Sequence, residues 1–96
     1  MFDFSGKVTL ITGASYGLGE EFAYAFADAG ADLILTARSE ELLMAVADRC
    51  REKGRKVTAV VGDVSVEADV LDVIAKGMSE HNQIDVLINN AGIADP

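Results

Sequence analysis

Cysteine, basic residues and long apolar runs are all scarce in this 96-residue sequence, and each shortage excludes a class of protein. Cys50 is the only cysteine, which excludes a framework of disulfide bonds and favours a reducing, cytoplasmic location. Eight Lys and Arg residues against 16 Asp and Glu give a net charge of −8, which disfavours nucleic-acid partners and anionic membrane surfaces. No apolar run approaches the ~20 residues of a membrane span, and the acidic start of the chain differs from the basic start of a signal peptide.

The remaining composition is that of a folded domain, because half of the residues are hydrophobic. Four short apolar runs, at residues 7–12, 31–37, 57–61 and 84–88, predict strands. The helical spacing of apolar residues between them predicts helices at about 16–29, 40–53 and 66–81. Strands that alternate with helices predict an α/β fold of three layers around a parallel sheet. We expect the strand order 3-2-1-4, with the first two helices on one face of the sheet and the third on the other.

Helix ends and apolar stripes can also be predicted. Ser39 and Ser65 are expected to cap the second and third helices, and Gly30 and Gly54 to follow the first and second. We expect Glu20 and Glu21 to face solvent. His81, near the end of the third helix, is also expected to be a solvated surface residue. The residues expected to be buried are Leu42, Leu43, Val46, Ala47 and Cys50 in the second helix, and Val66, Val70, Val73, Ile74, Gly77 and Met78 in the third. On that face Cys50 is predicted to fill the core rather than to act as a reactive thiol.

A glycine-rich turn between the first strand and the first helix is the strongest functional signal in the chain. Gly13, Gly17 and Gly19 lie where the strand ends and the helix begins. The first turn of a helix has amide groups without partners and the positive end of the helix dipole, which together bind anions such as phosphate. Glycine is needed where backbone and phosphate touch, because a Cβ would hold the ligand away. The alternative is an ordinary tight connection, which glycine also favours.

Three further polar residues follow the other strands: Arg38 after the second, Asp63 after the third and Asn90 after the fourth. The strand order 3-2-1-4 brings the ends of strands one and four together at a crevice, where open α/β sheets bind their ligands. We therefore expect a ligand site at this edge of the sheet. The alternative for Arg38 is a solvated residue before a helix; taken singly, Asp63 and Asn90 are equally turn residues.

Three motifs agree in order and spacing with one known family, and the sequence resembles the short-chain dehydrogenases/reductases. Residues 12–19 match the family's TGxxxGxG, Asp63-Val64 follows the third strand as in the family, and residues 89–92 match its NNAG. The resemblance implies a Rossmann-type dinucleotide-binding domain, of which residues 1–96 are an incomplete N-terminal part. It implies that the pyrophosphate and the nicotinamide-side ribose contact Gly13, Ser15, Tyr16, Gly17, Leu18 and Gly19, that adenine contacts Asp63 and Val64, and that the adenosine side contacts Asn90, Ala91 and Gly92.

The end of the second strand bears on the choice of cofactor. An NAD site has a carboxylate about 20 residues beyond the glycine turn, where it binds the ribose 2′-hydroxyl. This chain has Arg38 there, and a guanidinium binds a 2′-phosphate in a bidentate manner. We therefore expect NADP(H) in preference to NAD(H), although Tyr16 occupies a position where some NADP-preferring relatives carry a basic residue.

The family's catalytic pair is absent from the chain. The family needs Tyr-x-x-x-Lys and a nearby serine, but Tyr16 is followed at that spacing by Glu20, and Tyr24 by Asp28. The resemblance thus implies that these 96 residues alone contain no catalytic residue, bind no metal and do not turn over substrate. For a complete oxidoreductase it implies a small carbonyl or alcohol substrate. The alternatives are a non-catalytic nucleotide-binding module and a purely structural unit. An apolar fourth strand without a neighbour also predicts self-association through its edge, or a homo-oligomer.

Overall fold

Strands and helices alternate along the whole of the computed structural model, which describes residues 2–90. The elements are β1 (Val8–Thr12), α1 (Gly17–Asp28), β2 (Asp32–Ala37), α2 (Glu40–Glu52), β3 (Val57–Val61), α3 (Glu67–His81) and β4 (Val86–Asn89). The four strands form one parallel sheet in the order β3-β2-β1-β4. The predicted fold class and strand order are therefore confirmed.

Alternate residues of the strands point into two separate cores, one on each face of the sheet. Ile11, Leu33 and Leu35 belong to a core that α1 and α2 cover, together with Leu43 and other apolar residues of those helices. Leu10 and Ile34 point the other way, into a smaller core with Val8, Val60 and Val73 of α3. The sheet thus has helices on both faces, as the alternation of strands and helices predicts.

The ends of several elements differ from prediction in an informative way. Ser39 caps α2 as predicted, since its Oγ accepts from the Leu42 amide at 3.4 Å, and Gly30 and Gly54 follow the C-caps of α1 and α2. The prediction that Ser65 caps α3 was wrong, because the N-cap is Val66, which makes no side-chain capping bond. Ser65 instead donates both its amide and its hydroxyl to Asp63.

The fourth strand begins at Val86 rather than at residue 84. The Asp85 carboxylate accepts from the Val8 amide at 2.8 Å, so a side chain takes the place of a backbone partner there. Regular pairing with β1 therefore starts at Thr9 and Val86. The starts of β1 and β2 lie within one residue of their predicted positions.

The apolar stripe of α3 is narrower than predicted. Val73 and Gly77 are buried, and a Cβ on Gly77 would lie 2.5 Å from the Ile34 side chain. Val66, Ile74 and Met78 are exposed, Met78 at 42%, so their predicted burial was wrong. The helix lies over β2 and β3, and only the side chains aimed at those strands are covered within residues 2–90. Leu42 was also wrongly placed in the core, because the adjacent Leu43 occupies the buried position at the start of α2.

Four titratable side chains differ in how far their burial follows the prediction. Cys50 is fully buried, as predicted, and burial raises the pKa of its thiol to about 11. His81 is half-buried rather than solvated, because its Nε2 lies 2.9 Å from the Thr58 hydroxyl on β3. Glu21 is exposed as predicted, whereas Glu20 is half-buried and accepts from the Tyr24 hydroxyl at 2.7 Å. Within residues 2–90, no helix combines the length and the apolar character that a membrane span requires.

Candidate functional site

Two glycines in the turn from β1 to α1 adopt a backbone conformation that favours glycine. Gly13 and Gly17 have φ values of +62° and +61°, in the left-handed region that other residues enter at a cost. A Cβ on Gly17 would meet no atom of residues 2–90 within 4 Å, so no part of the described chain packs against this glycine. The helix begins there, and its N-cap Tyr16 gives no side-chain hydrogen bond to the first turn. The N-cap side chain therefore does not satisfy the first-turn amides, which an α-helix leaves without backbone partners.

Gly19 has a different role from the other two glycines. It is buried, and a Cβ at this position would lie 1.9 Å from the Gly13 carbonyl oxygen and 2.9 Å from Asn90 Nδ2. The absence of a side chain lets α1 lie directly against the turn that precedes it. Close packing by itself thus requires glycine at position 19.

Hydrogen bonds join the carboxyl ends of β1 and β4 beside this turn. The Thr12 hydroxyl donates to Asn89 Oδ1 at 3.1 Å and accepts from the Asn90 amide at 3.0 Å. Asn90 Nδ2 donates to the Gly13 carbonyl oxygen at 3.2 Å. Asn90 is thus placed against the glycine-rich turn, as its predicted part in the site requires. Ala91 and Gly92, which complete the predicted motif, lie outside the described residues.

The ends of β2 and β3 place charges of opposite sign near one another. Arg38 directly follows β2 and is exposed, and Asp63 follows β3 after Gly62. The hydroxyl and amide of Ser65 both donate to Asp63 Oδ1, at 2.7 and 2.9 Å. These bonds, with a smaller contribution from the positive charge of Arg38, lower the pKa of Asp63. The Asp63 carboxylate is therefore ionised at neutral pH.

The sheet edge combines three chemical features that suit a nucleotide. The first turn of α1 offers amides and the positive end of a helix dipole to a phosphate. Arg38 offers a planar cation, and Asp63 offers a carboxylate oxygen. Tyr16, Leu18 and Val64 are exposed, whereas Ser15 is buried.

Comparison with known proteins identifies the family. Residues 7–96 match the family model described as short chain dehydrogenase. The chain belongs to the short-chain dehydrogenase/reductase family. Its sequence is 50% identical over 92 residues to the 11-beta-hydroxysteroid dehydrogenase-like 4A of Arabidopsis thaliana, a match that covers 95% of this chain and 31% of that relative.

Solved structures of short-chain dehydrogenases/reductases share the fold. The L-sorbose reductase from Gluconobacter frateurii, complexed with NADPH and L-sorbose, superposes with a TM-score of 0.91 at 39% identity, over 95% of this chain and 35% of that one. An NAD+-bound xylitol dehydrogenase superposes with a TM-score of 0.89 at 35% identity, over 93% and 34%. The chain spans about a third of the length of these relatives.

Two residues of this family member matter to the site and were missed by sequence reasoning. The Thr36 carbonyl accepts from the Ala14 amide at 3.2 Å, and so joins the glycine-rich turn to the end of β2. Asp69 Oδ2 accepts from the Asp63 amide at 2.9 Å. An acidic residue in the first turn of a helix is explained by the helix dipole alone, so the sequence carried no signal for this second bond.

Tyr24, one of the two tyrosines considered as a catalytic residue, lies away from this edge. Its hydroxyl donates to Glu20, and Arg49 Nη1 lies 3.4 Å from the same oxygen, on the outer surface that α1 and α2 share. Burial and the bond to Glu20 raise the pKa of Tyr24. This short-chain dehydrogenase/reductase chain therefore holds Tyr24 as a protonated phenol engaged in a surface network.

Proposed function

We propose that this chain is the NADP(H)-binding part of a short-chain dehydrogenase/reductase oxidoreductase. The observation that carries the proposal is the meeting of Arg38, Asp63 and the glycine-rich turn at the carboxyl edge of the sheet. In the complete protein the bound nicotinamide would supply or accept a hydride, with a small carbonyl or alcohol compound as the substrate. The residues of the chain would bind and orient the cofactor.

The glycine-rich turn fits the pyrophosphate of such a cofactor. No atom of residues 2–90 lies near the place where a Cβ of Gly17 would stand, and Tyr16 gives no side-chain capping bond to the start of α1. A phosphate oxygen there would accept from first-turn amides at the positive end of the helix dipole. We assign this phosphate contact to residues 13–18. We assign to Gly19 a packing role, since it lets α1 lie directly against the turn.

Arg38 is the basis for preferring NADP(H) to NAD(H). No carboxylate follows β2 directly, where an NAD site would place one, and a guanidinium there suits a 2′-phosphate. Solved relatives include both an NADPH complex and an NAD+ complex, so the family alone leaves both cofactors open. Asp63 is assigned to the 6-amino group of adenine, with Val64 and Asn90 beside the adenosine.

We further propose that these 96 residues do not catalyse the reaction alone. General acid–base chemistry in this family requires a tyrosine whose pKa a nearby lysine lowers, and neither Tyr16 nor Tyr24 has a lysine at that spacing. The pKa of Tyr24 is shifted upward, which is the opposite of what such a role requires.

The test is a titration of the purified protein with NADPH and NADH, followed by fluorescence of the reduced nicotinamide. We expect Arg38→Ala to weaken NADPH binding about tenfold or more, because a hydrogen-bonded charge pair is lost, and to leave NADH binding nearly unchanged. Lys76→Ala is the matched control, since it removes an exposed cation that pairs with Asp72 on α3. Binding of neither cofactor at millimolar concentration would overturn the proposal, and equal effects of Arg38→Ala on both would overturn the preference for NADP(H).

A further inference from the structure

The loop between β3 and α3 is held by a side chain that reaches back from the helix. Asp69, in the first turn of α3, accepts from the backbone amide of Asp63 through its Oδ2 at 2.9 Å. Its side chain is half-buried and lies beside Gly62, where a Cβ would approach Asp69 Cβ to 3.4 Å. The Asp69 carboxylate is therefore a fixed part of the loop rather than a solvated charge.

The other bonds of this loop leave Asp63 with little freedom. The Gly62 amide donates to the Ala37 carbonyl oxygen at 3.0 Å, which ties the loop to the end of β2. The Val66 amide donates to the Asp63 carbonyl oxygen at 2.9 Å. Ser65 occupies Asp63 Oδ1 with two bonds. Asp63 is thus held at its amide, at its carbonyl and at Oδ1, and none of these bonds uses Oδ2.

We propose that Asp69 is a positioning residue for recognition of the purine base, acting through Asp63. By fixing the Asp63 amide, Asp69 sets the direction in which Asp63 Oδ2 accepts a hydrogen bond from an exocyclic amino group. The inference rests on the proposed function, because it takes the adenine of a dinucleotide as the ligand of Asp63. A carboxylate that served only the helix dipole would stabilise α3 without affecting the choice of base.

The experiment compares NADPH with its hypoxanthine analogue, which lacks the 6-amino group. For the unsubstituted protein we expect the analogue to bind about tenfold or more weakly, since the hydrogen bond to a charged acceptor is lost. Asp69→Ala is expected to reduce this ratio at least threefold, and Asp69→Asn, which keeps an acceptor oxygen for the Asp63 amide, to keep it within about twofold. Asp72→Ala, which removes an exposed carboxylate from the same helix, is the matched control and should leave the ratio unchanged.

The ratio separates positioning from general damage, because a destabilised protein loses affinity for both nucleotides alike. An unchanged ratio in Asp69→Ala, with Asp63→Ala abolishing it, would overturn the role of Asp69 and leave the proposed function intact. If neither nucleotide bound the unsubstituted protein at millimolar concentration, both proposals would fail together. Should Asp69→Ala not fold, hydrogen exchange of the Asp63 amide in the unsubstituted protein decides: protection supports the bond, and exchange at the rate of unstructured peptide overturns the proposal.

Discussion

Gly19, in the first turn of α1, lies so close to Gly13 that a Cβ at position 19 would fall 1.9 Å from the Gly13 carbonyl oxygen. That same oxygen accepts from Asn90 Nδ2, so the helix, the turn and the end of β4 meet at one atom. A glycine that appears in a phosphate-binding motif is therefore also a packing requirement of the fold.

Gly19→Ala is expected to destabilise the protein by about 1–3 kcal/mol, the usual cost of forcing an extra carbon into a packed site. The new methyl group must displace either the Gly13 carbonyl or α1, and nucleotide binding should fall with it. Urea unfolding followed by circular dichroism measures the change. Glu21→Ala, an exposed substitution in the same helix, is the control and should stay within about 0.5 kcal/mol of the unsubstituted protein.

His81 is expected to make folding stability fall as the pH falls below about 6.5, the pKa that the residue has without perturbation. Burial, and then the positive charge of Lys56, lower the pKa of His81 in the folded protein, and the opposing charges of Asp32 and Glu80 do not cancel these effects. The unfolded chain therefore binds the proton first, and the loss continues until the pH passes the folded pKa.

The hydrogen bonds of His81 identify a suitable variant for this measurement. The Thr58 hydroxyl has one proton, which the Glu80 carboxylate accepts at 2.6 Å, so His81 Nε2 donates to Thr58. His81→Gln keeps a donor amide and removes the titration. As the pH falls from neutral to mildly acidic, the free energy of unfolding of the unsubstituted protein should decrease more than that of His81→Gln. A difference that does not vary with pH would contradict the assignment.

Cys50 is expected to react with thiol reagents only when the protein unfolds. The side chain is fully buried in the core of α1 and α2, and its pKa of about 11 leaves little thiolate at pH 8. Labelling with iodoacetamide in native buffer and in concentrated urea, read by mass spectrometry, measures the contrast. Rapid modification of the native protein would show that the core around α2 opens readily.

Leu87 is expected to promote self-association of these 96 residues through the edge of the sheet. It is 60% exposed on β4, which pairs with β1 and with no second strand among residues 2–90. An apolar strand edge is a template for pairing with another chain, and a charge on it opposes such pairing. Sedimentation velocity should show less self-association for Leu87→Lys than for the unsubstituted chain. A monomer at high concentration in both would refute the prediction.

The sequence predicts the layers and the strand order well because those features follow from alternation. Successive strand residues such as Leu10 and Ile11 point to opposite faces of the sheet whatever their neighbours are. The conformation of the glycine-rich turn likewise depends on residues within the turn, Gly13 and Gly17, which have positive φ values. Met78 and His81 were misjudged because their burial depends on other elements: nothing described covers Met78, and His81 meets a threonine of β3. Ser65 was misjudged for a local reason, since its bonds to Asp63, two residues earlier, compete with capping of α3.

In the candidate site, the positions of the residues could be predicted from the sequence, but some of their hydrogen bonds could not. Arg38, Asp63 and Asn90 could be placed at one edge of the sheet from their positions after strands. The bonds from Asp63 to Asp69 and from Ala14 to Thr36 could not, because the first depends on how the loop before α3 folds against that helix and the second on how the glycine-rich turn lies against β2.

The parallel register sets Thr12 opposite both Thr36 and Asn89, so three strands finish at the same height. The loop at 62–66 is tied back to this edge, because the Gly62 amide donates to the Ala37 carbonyl oxygen at the end of β2. We expect a loop from another protein to replace residues 62–66 without shifting a strand when its first residue keeps that bond. Grafting one loop at a time is accordingly a practical route to redesigning which nucleotide the domain accepts.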